Sequence, residues 1–476
     1  MGKLRNGTCF AGEHKMKLAA GCLHLFIALC LVFSGAALVH AAGKPHIVYL
    51  LVDDLGYKDT GFQGGTISTP HLDMLAARGV TLRNFYVQPF SSQTRAALLT
   101  GRYPMRYGLQ TLSILPSSQF GLPADERTLA QALKEAGYRT AFLGKWQLGH
   151  ARKEFLPGKR GFDYFYGTLS GEVQFQVTKN AAGDWRRNEH SPKEEGAVTA
   201  LLTKDAVNQI NKHPPATPLF MVVAFTSPAA DASAKTGGGY AAGVSALDQA
   251  VGQIIEALEK KQMLANTLIV FHSDNGGAVP TKFSTGDQDV EASAADNGSG
   301  RGGKGSLYEG GVRVIALAAW PGRIQEKTIV TRLLHVTDMY STLLGIAGAQ
   351  LDQPKKPDGF DAWATLAAAG LSPREEILLN VEPFRGAIRV GEWKLIVRAT
   401  LPERVELFDI SNDPEESQNQ ADAYPDRVKS LHKKLNDYAY EMAMPKYLEE
   451  IGHARGVRTP FYWGDNPVRR PASVSP

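Results

Sequence analysis

Apolar residues along this 476-residue chain fall into two spacings. The run His46-Ile47-Val48-Tyr49-Leu50-Leu51-Val52 is almost continuously apolar, which predicts a strand buried on both faces. Shorter runs at 140–143, 220–225, 267–271 and 312–319 read the same way. Between them, helical spacing predicts helices at 70–78, 126–136, 245–261 and 337–347. Thr69-Pro70 is a helix start and Gly137 a helix stop. Strands alternating with helices predict an α/β fold around a mostly parallel sheet.

The last hundred residues change pattern. Runs at 387–390 and 393–398 flank Gly391-Glu392 and predict a hairpin; 406–410 predicts a strand and 425–439 a helix. This predicts a small antiparallel sheet with a packed helix over 373–464, then an extended, proline-rich tail over 465–476. At the other end, basic residues stop at Lys17, an apolar stretch covers 18–38, and Val39-His40-Ala41 fits a small-x-small cleavage site. Residues 1–42 therefore read as a signal peptide and 43–372 as the main α/β domain. No later run is apolar enough to cross a bilayer, so no stable membrane anchor is expected and the mature chain is placed in the periplasm or outside the cell.

Composition narrows the chemistry. The net charge is +4, but Lys3, Arg5, Lys15 and Lys17 against Glu13 carry most of it, leaving a nearly neutral mature chain. Such a chain has no basic surplus for nucleic acid. All three cysteines, Cys9, Cys22 and Cys30, lie in the leader. Disulfides, zinc–thiolate sites and a cysteine nucleophile are thereby excluded from the mature protein.

Two apolar strands end in acidic tips, Asp53-Asp54 and Asp274-Asn275. Ligands of open α/β sheets gather at the carboxyl ends of strands, and three carboxylates with an amide oxygen suit a hard cation, Ca²⁺ or Mg²⁺. The segment 91–102 is a hydroxyl-rich loop running into an apolar helix start, and one turn places Arg95 on the side of Ser91. A capped surface helix is the plainer account of the same residues. Lys145 and Lys304 sit in glycine-flanked turns, where they are either solvated or positioned to clamp a tetrahedral anion.

Several separated blocks resemble the type I sulfatases of the alkaline phosphatase superfamily, on the arylsulfatase B-like branch. They are Val52-Asp53-Asp54-Leu55-Gly56, Ser68-Thr69-Pro70-His71-Leu72-Asp73, Tyr86-Val87-Gln88-Pro89, the segment 91–102, Gly144-Lys145-Trp146, Ser273-Asp274-Asn275-Gly276-Gly277 and Glu309-Gly310-Gly311-Val312-Arg313. Glu406-Leu407-Phe408-Asp409 with Asp413-Pro414 also fits. The resemblance covers about residues 45–440 in order. It implies an alkaline-phosphatase-like sheet sandwiched by helices and hydrolysis of sugar or aryl sulfates. It further implies that Ser91 is converted to formylglycine by a sulfatase-maturing enzyme. By the same carry-over Asp53, Asp54, Ser91, Asp274 and Asn275 hold the cation, usually Ca²⁺. Arg95 supports the aldehyde hydrate, Lys145 and Lys304 grip the sulfate, and Gln147 occupies a catalytic position.

Three positions depart from that pattern. Gln93 stands where the family has Pro or Ala, and Gln147 where it has histidine. The family's histidine loop after the strand at 220–225 is here Ser227-Pro228-Ala229-Ala230-Asp231-Ala232. Glutamine hydrogen-bonds but does not take up a proton. His150 and His272 lie close in sequence and read as structural histidines. Two alternatives follow: an impaired homologue that binds sulfated glycans, or a phosphate or phosphonate ester hydrolase using unmodified Ser91.

Overall fold

The computed structural model describes residues 43–454, except 172, 174–175, 179–183, 227, 229–238, 280–294 and 352. The leader, the tail and most of the loop at 227–232 lie outside the described residues. Nine strands form the main sheet: β1 (His46–Val52), β2 (Val80–Leu82), β3 (Arg139–Gly144), β4 (Tyr164–Thr168), β5 (Trp185–Arg187), β6 (Leu219–Phe225), β7 (Thr267–Ser273), β8 (Ala316–Ala319) and β9 (Thr328–Val330). Their spatial order is β9-β2-β8-β7-β1-β6-β3-β4-β5. The five strands from β7 to β4 are parallel, while β8 pairs antiparallel with β7 and β2, and β5 antiparallel with β4.

Every residue of β1 is buried. Ile47, Tyr49 and Leu51 face a core filled by α2 (Ser91–Thr100), α3 (Leu129–Glu135) and α6 (Asp338–Ala347). Val48, Leu50 and Val52 face a second core filled by α1 (Pro70–Ala77), α4 (Val198–Lys212) and α5 (Gly239–Lys260). The continuous apolar run thus follows from helices covering both faces.

The structure corrects some boundaries. The helix expected at 126–136 begins at Leu129, because Thr128 is its N-cap in a capping box with Gln131. The strand expected at 312–319 is broken: Glu309–Val312 makes one helical turn before β8, and Arg313–Val314 pairs with a separate small sheet. Helix α4 has no counterpart in the predicted elements.

A second sheet contains β10 (Glu376–Glu382), β11 (Arg385–Val390), β12 (Trp393–Arg398) and β13 (Arg404–Asp409), all antiparallel. One face packs Leu378, Ile388 and Leu395 on Leu431 and Leu435 of α7 (Pro425–Tyr440). The other packs Ile377, Ile396 and Phe408 on Tyr86, Tyr308 and Val312. The predicted small antiparallel sheet with its helix is therefore present.

Candidate active site

The parallel register sets the site. Val52 lies opposite both Ser273 of β7 and Phe225 of β6, so the three strands finish level. Asp53-Asp54 and Asp274-Asn275 consequently leave the sheet side by side. Oxygens of Asp53, Asp54 and Asp274 come within 4.8 Å of one another, and all three residues are buried. Asn275 Nδ2 donates to Asp54 Oδ1 at 2.6 Å, which leaves its Oδ1 facing the same centre. Asp54 holds a left-handed backbone, φ 56°, at this turn.

Helix α2 delivers the next groups. Phe90 is its N-cap and Ser91 its first residue, and all ten residues of the helix are buried. It is therefore no surface helix. Ser91 Oγ lies 3.0 Å from Asp53 Oδ1 and 3.1 Å from Asn275 Oδ1. One hydroxyl proton serves only one of these acceptors at a time. Arg95, one turn on, donates from Nε and Nη2 to Asp274 Oδ2 at 3.1 and 2.8 Å, and from Nη1 to the Lys145 carbonyl at 2.5 Å. Its guanidinium is engaged with Asp274 and the β3 end rather than free beneath Ser91.

Two lysines complete the cluster. Lys145 follows β3, whose last residue must be glycine: Gly144 has φ 105°, and a Cβ there would fall 1.9 Å from the Ala224 carbonyl. Lys145 Nζ donates to Asp53 Oδ2 at 2.7 Å. Lys304 Nζ donates to Asp54 Oδ2 at 2.6 Å. Its loop is fixed backbone to backbone to the loop that follows Asp274-Asn275: Lys304 N donates to Gly277 O, and Gly276 N to Gly311 O. Buried Asn297 bridges Gly277 and Gly302 from its amide. Asn297 lies in a polar stretch without periodicity, so no sequence signal singles it out.

Charge is uneven within the cluster. Burial, then the neighbouring Asp53 charge, push Asp274 up to about 7 against the pull of Arg95. Burial also opposes ionisation of Asp53, but Lys145, Lys304 and Arg95 outweigh it and hold that carboxyl well below the usual range. Burial acts against the Lys304 charge too, and Asp54 and Asp53 overcome it, raising its pKa. Three packed carboxylates are costly without compensating cations. An all-oxygen set of carboxylates, an amide oxygen and a hydroxyl fits a hard divalent ion, with cationic side chains behind it.

The remaining candidates sit differently. Gln147 has φ 50°, and its carbonyl accepts from Ser92 Oγ at 2.8 Å, so it lies against the α2 start. Its buried Oε1 has no hydrogen-bond partner among the described residues. Gln93 is fully buried and donates to the Gln110 carbonyl at 2.5 Å. His272 sits inside the sheet. Its Nδ1 donates to the Ser273 carbonyl and its Nε2 accepts from Tyr49, which fixes it as a neutral structural group. Burial lowers its pKa to about 4. His150 lies 2.9 Å through Nε2 from the Pro116 carbonyl.

Residues 45–349 match the family described as Sulfatase, and residues 302–441 the one described as N-sulphoglucosamine sulphohydrolase, C-terminal. Arylsulfatase J of Mus musculus is 32% identical over 508 residues, covering 90% of this chain and 82% of that protein. Arylsulfatase A of Homo sapiens is 34% identical, covering 76% and 77%. A solved structure of Ps i-CgsB in complex with k-i-k-neocarrahexaose superimposes with a TM-score of 0.75 at 30% identity, covering 84% of this chain and 94% of that one.

Proposed function

Because the chain belongs to the sulfatase family, we propose that it hydrolyses sulfate esters of sugars or aryl alcohols at Ser91. One observation carries this placement: Ser91 Oγ stands between Asp53 Oδ1 and Asn275 Oδ1, with Lys145 and Lys304 on the adjoining carboxylates. Asp53, Asp54, Asp274, Asn275 and the residue-91 side chain would hold the divalent ion, Ca²⁺ by family analogy. That ion would supply charge to lower the pKa of an attacking hydroxyl and to draw in the sulfate.

As a hydrated formylglycine, the residue-91 side chain would present two hydroxyls: one would displace the alcohol at sulfur, and deprotonation of the other would expel sulfate and restore the aldehyde. The chain's own groups then do the following. Arg95 fixes Asp274 through two donors and keeps the β3 end against α2. Lys145 and Lys304 bring positive charge to the sulfate oxygens, where it offsets the charge that develops as the ester bond breaks. Gln147 contributes hydrogen bonding at the leaving oxygen without proton transfer.

Ser91 is only 1% exposed, so a maturing enzyme is expected to meet it before the chain closes. Export to the periplasm or beyond remains the proposed location. No helix among the described residues is long and apolar enough to cross a membrane.

Intact-mass analysis of peptide 84–102 from the native host tests the mechanism. Loss of two hydrogens at Ser91 together with aryl sulfate turnover is the expected result. Phosphate-ester turnover by protein whose peptide is unshifted would move the reading to a phosphate or phosphonate ester hydrolase using unmodified Ser91. An impaired, glycan-binding homologue is favoured by one observation, the absence of a proton carrier at Gln147. It requires tight binding without turnover.

A further inference from the structure

The loop that carries Lys304 is held on both sides of that residue by groups from the C-terminal region. Arg385, at the start of β11, donates from Nη1 to the carbonyl of Gly305 at 2.8 Å. Lys394 of β12 is fully buried, with Nζ 2.9 Å from Glu309 Oε1 and 2.8 Å from Glu416 Oε1. Glu416 Oε2 accepts from Glu309 N at 2.6 Å, and its backbone carbonyl accepts from Arg301 Nη1 at 2.9 Å. C-terminal groups therefore contact residues 301, 305 and 309, which bracket position 304.

The cluster is expensive to build. Glu309 and Glu416 are buried beside one lysine, and Arg313 and Arg389 approach Glu309 at 3.0 and 3.9 Å. Glu416 also keeps a left-handed backbone, φ 52°, that a non-glycine residue seldom adopts. Apolar residues of similar volume would usually serve stability as well as a buried ion pair does. They would not fix the direction of a loop that carries a cation. Arg385 shows the same economy: it pairs with Glu382 at its base and reaches across to the neighbour of Lys304 at its tip.

Building on the sulfate-ester reading, we infer that Arg385, Lys394 and Glu416 are positioning residues that set Lys304 for the sulfate group. The C-terminal sheet is then part of the anion-binding device, although none of these three side chains touches the metal-facing carboxylates. Loss of one support lets Lys304 drift, weakening the grip on sulfate while Asp53, Asp54, Asp274 and Asn275 stay where the main sheet puts them.

The test is titration calorimetry on the full chain with Ca²⁺ and, separately, with inorganic sulfate in saturating Ca²⁺; neither needs turnover or formylglycine. Arg385→Ala is expected to weaken sulfate binding about tenfold, the usual scale for losing one charge-assisted hydrogen bond, while Ca²⁺ affinity stays within about twofold. Arg385→Lys recovers part of the loss. Glu416→Gln, which keeps the shape but drops the charge, shows the same split if Lys394→Met does not fold. In matured enzyme the same variants raise KM for an aryl sulfate more than they lower kcat. Sulfate affinity unchanged in both Arg385→Ala and Glu416→Gln overturns the positioning role. So does parallel loss of Ca²⁺ and sulfate binding with a lowered unfolding midpoint, which marks a purely structural cluster. Wild-type protein that binds Ca²⁺ but no sulfate overturns the parent reading itself.

Discussion

Lys145 Nζ stands 2.7 Å from Asp53 Oδ2, and both side chains are almost fully buried. Removing the lysine leaves a buried carboxylate without its hydrogen-bonded partner, with Lys304 and the more distant Arg95 Nη2, 3.7 Å away, as the remaining counter-charges. Lys145→Met is therefore expected to cost about 3 kcal/mol in urea unfolding without added cation, the lower end for a broken buried pair. Saturating Ca²⁺ should recover much of it, since a ligand at ~100 times its Kd adds about 2.7 kcal/mol. Unchanged stability in ion-free buffer would show that the pair contributes nothing to the fold.

Asp274 links the site to pH. Its folded pKa, about 7, lies above the ordinary 3.8, so the folded ion-free chain keeps a proton that the unfolded chain releases. Stability of the ion-free protein should fall as pH rises through that interval, because the folded state binds more protons there. A cation competes with the same proton, so its affinity should climb toward pH 7 by up to about tenfold per pH unit and then level off. Calorimetry at pH 5.5, 6.5 and 7.5 reads this directly. A flat profile would mean that Asp274 is ionised throughout.

Lys304 is the more accessible lysine, with a side chain 21% exposed. Lys304→Ala should lower the unfolding midpoint of the ion-free protein less than Lys145→Met does, yet lower kcat/KM by roughly 10²–10³-fold, the scale for one lost electrostatic donor. Asp274→Ala should abolish turnover by removing a cation oxygen and the anchor of Arg95. Full activity in either variant would relocate the site.

Gln147 tests the leaving-group step. Gln147→His should speed hydrolysis of alkyl or sugar sulfates, where a positioned acid contributes roughly 10²–10⁴-fold, and barely change an activated aryl sulfate. A rate on alkyl or sugar sulfates unchanged from wild type would remove position 147 from the proton path.

Gly276 makes the closest backbone approach in the site: a Cβ there would fall 1.7 Å from the Gly310 carbonyl. Gly276→Ala must push the two loops apart. An unfolding loss of roughly 1–3 kcal/mol is expected, with weaker Ca²⁺ binding because Asn275 moves with its neighbour. A variant of normal stability and affinity would show that the loops slide freely.

What the chain's pattern disclosed was local. The strand at β1 was legible to the residue because burial on both faces leaves an unbroken apolar signature, and Asp53-Asp54 could be placed at its tip. Helix α2 was legible through Ser91 and Arg95, one turn apart. The pattern hid what depends on distant partners. Helix α4 is amphipathic, but its N-cap position is Ala197, which makes no side-chain cap hydrogen bond, so no capping residue marks its start. The break at 309–314 arises from the close packing of Gly310 and Gly311 against residues 300–306, which periodicity does not encode. The pairing of Arg95 with Asp274 spans 179 residues, and that of Lys394 with Glu309 spans 85. Each is a consequence of the assembled sheets.

Because Val52 ends flush with Ser273, one added or deleted residue inside either strand would carry an acidic tip about 3.3 Å along and turn it to the opposite side. Length variation in homologues should thus be confined to connecting segments, with the residue count of these two strands unchanged. Substrate preference is then free to diversify through the loops while the chemistry stays tied to an unalterable count.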